Sequence, residues 1–130
     1  MSKIKRFEDL EVWQEARELC KIVNSLTKKT SFCKDFELVR QIERSSGSVM
    51  DNIAEGYERG GNKEFGQFLS FSKGSCGEVR SQSYRALDKK HITQEEFKDL
   101  YNKALLVNKM LSGFMSYLRK SDIKGSKFKT

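Results

Sequence analysis

Residues 41–56 of the chain, QIERSSGSVMDNIAEG, keep the spacing of an α-helix but replace much of its apolar face with small and polar side chains. Ile42, Val49 and Ile53 recur at helical intervals, while serines, a glycine and Asn52 stand between them. A glycine inside a helix costs ~1 kcal/mol relative to alanine, and a buried asparagine without partners costs ~1–3 kcal/mol. The segment therefore indicates a helix that packs close to a neighbouring backbone and carries a polar network at that contact.

Apolar residues at spacings of three and four predict four helical segments and no strand. Asp35 is a candidate N-cap of the second helix, Gly60-Gly61-Asn62 ends that helix and caps the third, and Thr93 with Glu96 forms a capping box for the fourth. Because the connections between these long helices are short, we expect an all-α fold, an antiparallel up-down-up-down four-helix bundle. The predicted helices run over about 8–29, 36–59, 62–90 and 94–120.

The length of 130 residues suits one domain, which we place at residues 1–120, followed by a basic tail at 121–130 that we expect to be unstructured. The chain has an odd number of cysteines, namely Cys20, Cys33 and Cys76, and no apolar leader segment precedes them. This pattern favours reduced thiols in a cytoplasmic protein over a disulfide framework. The apolar runs are far too short to cross a bilayer, so we expect no membrane association.

The formal net charge of +7 is concentrated at the two ends of the chain. Residues 1–7 carry +3 and residues 119–130 carry +4, whereas residues 8–118 hold 17 basic and 17 acidic side chains. The two ends are either solubilising, frayed segments or arms that bind a polyanion such as an RNA or DNA backbone. In the second interpretation, the candidate nucleic-acid-binding residues are Lys3, Lys5, Arg6, Lys120, Lys124, Lys127 and Lys129.

A polar stripe on the second helix also has two interpretations. Arg40, Arg44, Ser48, Asp51 and Glu55 recur at intervals of three and four. They form either solvated ion pairs along the helix or part of a buried network between subunits. In that network, the Arg44 guanidinium forms a bidentate pair with a carboxylate. Small residues in the middle of the third helix would permit the same close contact. The candidate oligomer network comprises Arg44, Ser48, Asn52, Glu55, Gly74, Ser75 and Glu78.

Several stretches of the chain together resemble one bacterial family. They are the opening FEDLEVWQEARELC, the NIAEG motif in the second helix and the Gly74-Ser75 pair in the third. The chain is similar, over about residues 7–118, to the four-helix-bundle proteins named after the intervening sequences of 23S ribosomal RNA genes. Members of that family usually have a proline in the loop before the second helix, whereas this chain has Phe32-Cys33-Lys34 at that place. The matching positions are Phe7, Asp9, Leu10, Trp13, Gln41, Arg44, Ser48, Asn52, Ile53, Ala54, Glu55, Gly56, Phe65, Phe68, Leu69, Gly74, Ser75 and Glu78.

The resemblance implies a homopentameric ring and no known enzymatic activity. It also implies kinship with the accessory protein of diversity-generating retroelements, which binds nucleic acid and a reverse transcriptase. The residues themselves give little support to catalysis, because His91 is the only histidine and the cysteines lack zinc-ligand spacing. Gly60-Gly61-Asn62-Lys63 lacks the preceding strand and the spacing of a phosphate-binding loop. We expect no catalytic residue, no metal and no cofactor.

Two classes of function remain at this point. The first is a homo-oligomer, a pentamer by the resemblance, whose basic ends hold an RNA or DNA backbone without reading its sequence. The alternative is a protein-interaction scaffold, in which the ring presents a groove or a pore to a partner protein. A steep fall of RNA affinity with salt would favour the first class, and binding of a specific protein without any polyanion would favour the second.

Overall fold

Four long helices make up almost all of the described chain. The computed structural model describes residues 4–123, with side chains for residues 4–121. No strand occurs between these limits, so the predicted all-α class is confirmed. Short 3₁₀ turns precede the first two helices, at Phe7–Asp9 and Phe32–Lys34. The helices are α1 at Glu11–Leu26, α2 at Phe36–Arg59, α3 at Asn62–Asp88 and α4 at Gln94–Ile123.

The helices pack in chain order around one apolar core. α2 lies against α3, α3 against α4, and α1 closes the bundle by contacting both α2 and α4. Since each connection is short and reverses the chain, the predicted antiparallel four-helix bundle is confirmed. Every helix contributes fully buried side chains such as Leu19, Ile53, Leu69 and Leu111. Burying one such side chain contributes about 1.5–3 kcal/mol, which makes this core the main source of stability.

Three of the predicted helix ends have the expected capping contacts. The Asp35 carboxylate accepts the Leu38 N–H at 3.3 Å and so caps α2. Thr93 and Glu96 form the reciprocal capping box, with the Glu96 N–H donating to Thr93 Oγ1 at 3.1 Å and the Thr93 N–H donating to Glu96 at 2.8 Å. Gly60 ends α2 with a φ of 86°, a left-handed conformation that glycine adopts without strain.

Helices α1 and α4 differ from prediction at their outer limits. The 3₁₀ turn at Phe7–Asp9 takes up the predicted start of α1, and the extended backbone of buried Leu10 separates that turn from the helix. α4 continues to Ile123, three residues beyond the predicted boundary. Ser121, in this added turn, is only 5% exposed, so the extension packs against the bundle.

Small residues bring α2 and α3 into close contact within one chain. A Cβ added at Gly56 would lie 2.7 Å from Phe68 Cβ and 3.0 Å from a ring carbon of Phe65, so only glycine fits there without a shift. Further along the same contact, fully buried Ser72 donates a hydrogen bond to the Val49 carbonyl at 2.8 Å. Part of the unusual composition of residues 41–56 is therefore explained by packing between two neighbouring helices.

Candidate functional site

The predicted oligomer network lies on α2 and α3, and we call the surface of these residues, together with Phe71, the α2–α3 face: Arg44, Ser48, Asn52, Glu55, Phe71, Gly74, Ser75 and Glu78. A hydrogen-bonded cluster of half-buried side chains connects the two helices at its centre. Ser75 Oγ donates to Ser48 Oγ at 3.1 Å, and Asn52 Nδ2 donates to the same oxygen at 3.0 Å and to the Ser48 carbonyl at 2.9 Å. The amide of Asn52 thereby obtains partners that its predicted burial required.

The charged members of the α2–α3 face are not joined into one network within the chain. Glu55 pairs with Arg59 at 2.7 Å, and both side chains are about half exposed, as in the solvated alternative. Ser45 Oγ donates to Glu78 at 3.4 Å. Arg44 is exposed and forms no ion pair within residues 4–123. Its pairing with a carboxylate of another subunit stays a prediction.

The centre of the α2–α3 face also exposes apolar and small groups. Phe71 is 49% exposed and touches Phe68 edge-on, with ring centroids 5.5 Å apart. The Arg59 guanidinium lies 4.9 Å from the Phe68 ring centroid. A Cβ added at Gly74 would meet nothing within 4 Å, so packing inside the chain does not explain that glycine.

A second surface, which we call the basic end, results from the helix order. The start of α1, the α2–α3 turn and the C-terminus of α4 lie at the same end of an antiparallel bundle. The basic end contains the exposed cations Lys5, Arg6, Arg59, Lys63, Arg119 and Lys120. Arg59 pairs with Glu55 and Glu64, and the exposed carboxylates Glu8, Asp9 and Glu58 lie at the same end. Of the other predicted nucleic-acid-binding residues, Lys3, Lys124, Lys127 and Lys129 lie outside the described residues.

The N-terminal part of the basic end is held against the bundle. Asp9 Oδ2 accepts the backbone N–H groups of Lys5 at 2.9 Å and Arg6 at 3.2 Å. The Lys5 N–H is the main cause that lowers the pKa of the Asp9 carboxyl below its ordinary value. Phe7 packs edge-on against Trp13, with centroids 5.2 Å apart. Asp9 and Phe7 thus hold Lys5 and Arg6 on a short turn, while residues 1–3 lie outside the described chain.

At the opposite end, the structure forms a side-chain cluster that the sequence did not predict. His91 Nε2 lies 2.9 Å from Asp35 Oδ2, and His91 Nδ1 lies 2.6 Å from Ser31 Oγ. Lys89 Nζ donates to the same Asp35 oxygen at 3.0 Å, and the His91 ring stacks on Phe32 with centroids 5.1 Å apart. The hydrogen bond to His91, followed by that to Lys89, lowers the pKa of Asp35 to about 2.

The order of serine, histidine and aspartate in this cluster differs from that of a hydrolytic triad. In serine proteases, the serine bonds to histidine Nε2 and the aspartate to Nδ1, whereas Ser31 and Asp35 occupy the opposite nitrogens. Asp35 also caps α2. The cluster therefore joins the α1–α2 and α3–α4 connections and has the arrangement of a structural link.

The described part of the chain lacks two further classes of site. Within it, no three or more His, Cys, Asp or Glu side chains are grouped so that they could hold a metal ion. No helix over residues 4–123 has the length and apolar character needed to cross a membrane.

Comparisons with known proteins agree with the fold and the motifs. No curated protein matches the chain. A crystal structure of a protein of unknown function from the S23 ribosomal protein family of Bacteroides thetaiotaomicron VPI-5482 aligns with a TM-score of 0.74 and 24% identity, covering 80% of this chain and 97% of that one. That likeness supports the fold. The sequence profile of the 23S rRNA-intervening sequence proteins matches residues 8–113, and the chain belongs to that family.

Proposed function

We propose that the protein is a non-enzymatic homo-oligomer, a pentamer, that acts as an accessory module by holding an RNA or DNA backbone at its basic end. The observation that carries this proposal is the position of Lys5 and Arg6 at the same end of the bundle as Arg119 and Lys120, in a chain whose residues 8–118 are neutral overall. Phosphate backbones attract such a concentration of lysine and arginine regardless of base sequence.

The α2–α3 face supports the assembly part of the proposal. Gly74 costs about 0.5–1 kcal/mol of helix stability relative to alanine, and the chain's own packing does not require it. Beside it, Phe71 leaves an aromatic surface half exposed. A second copy packed on this face would bury Phe71, approach the helix closely at Gly74 and offer Arg44 a carboxylate.

Assembly would strengthen weak contacts at the basic end. A single chain offers a few exposed cations, each with a modest effect at physiological salt. A ring multiplies these contacts, and every contact after the first forms within one complex at a high effective concentration. Oligomerisation and backbone binding are therefore two parts of one function.

Light scattering at micromolar concentration tests the assembly. We expect a homo-oligomer for the unmodified protein and smaller species for Ser48→Glu, because the introduced carboxylate would be buried at the interface without compensation. The matched control is Ser25→Glu, which makes the same change at an exposed serine of α1, a helix that carries no residue of the α2–α3 face. A monomeric unmodified protein, or equal disruption by both variants, would contradict this role of the face.

A salt titration of RNA and DNA binding tests the function itself. We expect log affinity to fall linearly with log salt, with a slope of ~0.7 per phosphate contacted on a single strand. Lys5→Gln combined with Arg6→Gln should weaken binding and flatten the slope. If no polyanion binds while the ring captures a specific protein, the protein-scaffold alternative is correct and the proposed function is wrong.

A further inference from the structure

The N-terminus of α3 lies at the basic end and has no side-chain cap, so the cap predicted at Gly60-Gly61-Asn62 is wrong. Its N-cap residue is Gly61, which has no side-chain oxygen to accept the N–H groups of the first turn. Because α3 extends over Asn62–Asp88, its aligned peptide dipoles place a partial positive charge at this terminus. Such a terminus attracts an anion, but it does not define a binding site without further groups.

Asn62 is the group that points to a ligand. Its side chain is 95% buried, being only 5% exposed. Neither Nδ2 nor Oδ1 has a hydrogen-bond partner within the described chain. Asn62 lies on the wall of a cavity of about 250 Å³ between the start of α3 and the last turns of α4. A buried amide without partners is costly, so a polar ligand in this cavity would satisfy a group that the protein alone does not.

The charged side chains around the cavity favour a negatively charged ligand. Lys63 from α3 and Arg119 from α4 both line it, and both are exposed. Neither side chain forms an ion pair within residues 4–121. The carboxylate nearest in sequence, Glu64, lies 3.8 Å from Arg59. The remaining lining residues are Gly66, Met115 and Leu118, which add no negative charge.

We propose that this cavity, which we call the α3 pocket, binds a phosphate group. Its oxygens accept the first-turn N–H groups of α3 and the Asn62 Nδ2–H donors, while Arg119 and Lys63 neutralise its charge. The oxygens of a tetrahedral phosphate point in different directions, so they can accept hydrogen bonds from donors on both α3 and α4. Binding of a phosphate from a nucleic-acid backbone in the α3 pocket rests on the proposed function. Binding of a free phosphate group there does not depend on that function.

The test uses the full-length protein with two probes, inorganic phosphate and a short single-stranded oligo(dT). Phosphate should shift the amide resonances of residues 61–64, and Arg119→Gln should weaken phosphate binding about ten- to a hundredfold. Asn62→Asp places a carboxylate at the same position, so phosphate binding should be lost while the unfolding temperature does not fall. The control is Lys98→Gln, which removes a cation from the start of α4, at the other end of the bundle.

The two probes separate failure of the α3 pocket from failure of the proposed function. Weaker oligo(dT) binding by Arg119→Gln, but not by Lys98→Gln, supports a backbone phosphate in the α3 pocket. Phosphate binding without oligo(dT) binding supports the α3 pocket as a receptor for a free phosphate group and overturns the proposed function. Unshifted resonances at residues 61–64, or equal losses in both glutamine variants, overturn the α3 pocket whatever the oligo(dT) affinity.

Discussion

At the scale of single residues, Asp35 serves two structural roles with one carboxylate. Oδ1 accepts the Leu38 N–H and caps α2, while Oδ2 faces both His91 and Lys89. The first contact is local, and the second joins parts of the chain more than fifty residues apart. The lowered pKa of Asp35, at about 2, expresses the preference of this environment for the ionised carboxylate.

This preference predicts a pH dependence of stability. Because the pKa of Asp35 falls from 3.8 to about 2 on folding, its contribution is present above pH 3.8 and is lost as the pH falls through about 2. Asp35→Asn keeps a capping residue but removes the charge, so it should lower the free energy of unfolding by about 1–2 kcal/mol at pH 7. Urea unfolding from pH 7 to 2 should show this difference shrinking. A constant difference over that range would contradict the assignment.

The three cysteines provide a second prediction at this scale. Cys33 is exposed, Cys20 is partly buried and Cys76 is buried. Burial raises the pKa of the Cys76 thiol to about 11 and also raises that of Cys20. Since the thiolate is the reactive form, a thiol reagent should modify Cys33 rapidly and the other two only on unfolding. Cys33→Ser should abolish the rapid phase, and a surviving rapid phase would show that the bundle opens at Cys20 or Cys76.

The cap and the histidine contact show where sequence reasoning succeeds and where it stops. Asp35 could be predicted as an N-cap because the signal is local, a carboxylate followed directly by a helical pattern. Its contact with His91 depends on how the two connections meet after folding, and no spacing encodes it. For the same reason, the start of α1 was misplaced, because the burial of Leu10 that interrupts the helix is a tertiary effect.

At the scale of elements, α2 and α3 use glycine for two different purposes. Gly56 lets the two helices approach, since its missing Cβ would collide with Phe68. Gly74 faces open space in the single chain. The sequence indicated a close contact of small residues but could not divide them between contacts within a chain and contacts between chains. The structure assigns Gly56 to the contact between α2 and α3 within one chain.

Alanine substitutions at these glycines should have opposite effects on one chain. Gly56→Ala should lower the free energy of unfolding by about 1–3 kcal/mol, because Phe68 and Phe65 must shift to make room. Gly74→Ala meets no atom within the chain and should raise the stability of α3 by about 0.5–1 kcal/mol. Urea unfolding under conditions that keep the protein monomeric measures both. Equal destabilisation by the two variants would show that α3 is crowded at Gly74 in the single chain.

At the scale of the whole molecule, the helix order brings basic residues that are far apart in the sequence to one end of the bundle. The sequence located the basic residues at the two ends of the chain, which are far apart in order. The antiparallel bundle brings the start of α1 and the end of α4 together, beside the α2–α3 turn. Arg59, Lys63 and Arg119 join Lys5, Arg6 and Lys120 at the basic end for this reason.

Removal of residues 124–130 tests this surface. The truncation takes away Lys124, Lys127 and Lys129, so it should weaken RNA and DNA binding and flatten the salt dependence, with the helical content unchanged. The matched control replaces three exposed lysines at the opposite end with glutamine, namely Lys28, Lys34 and Lys98. If truncation and control reduce the slope equally, net charge governs the binding rather than the basic end.

The adjacency of α1 and α4 also means that the order of the helices along the chain is not the only order that can build this bundle. Residues 4 and 123 lie at one end, so a flexible linker could join them, with a new opening between exposed Thr30 and Ser31 at the other end. Such a circular permutant would retain the four helix–helix interfaces and begin at α2. Its free termini would then emerge opposite the basic end, where a fused label would not obstruct it.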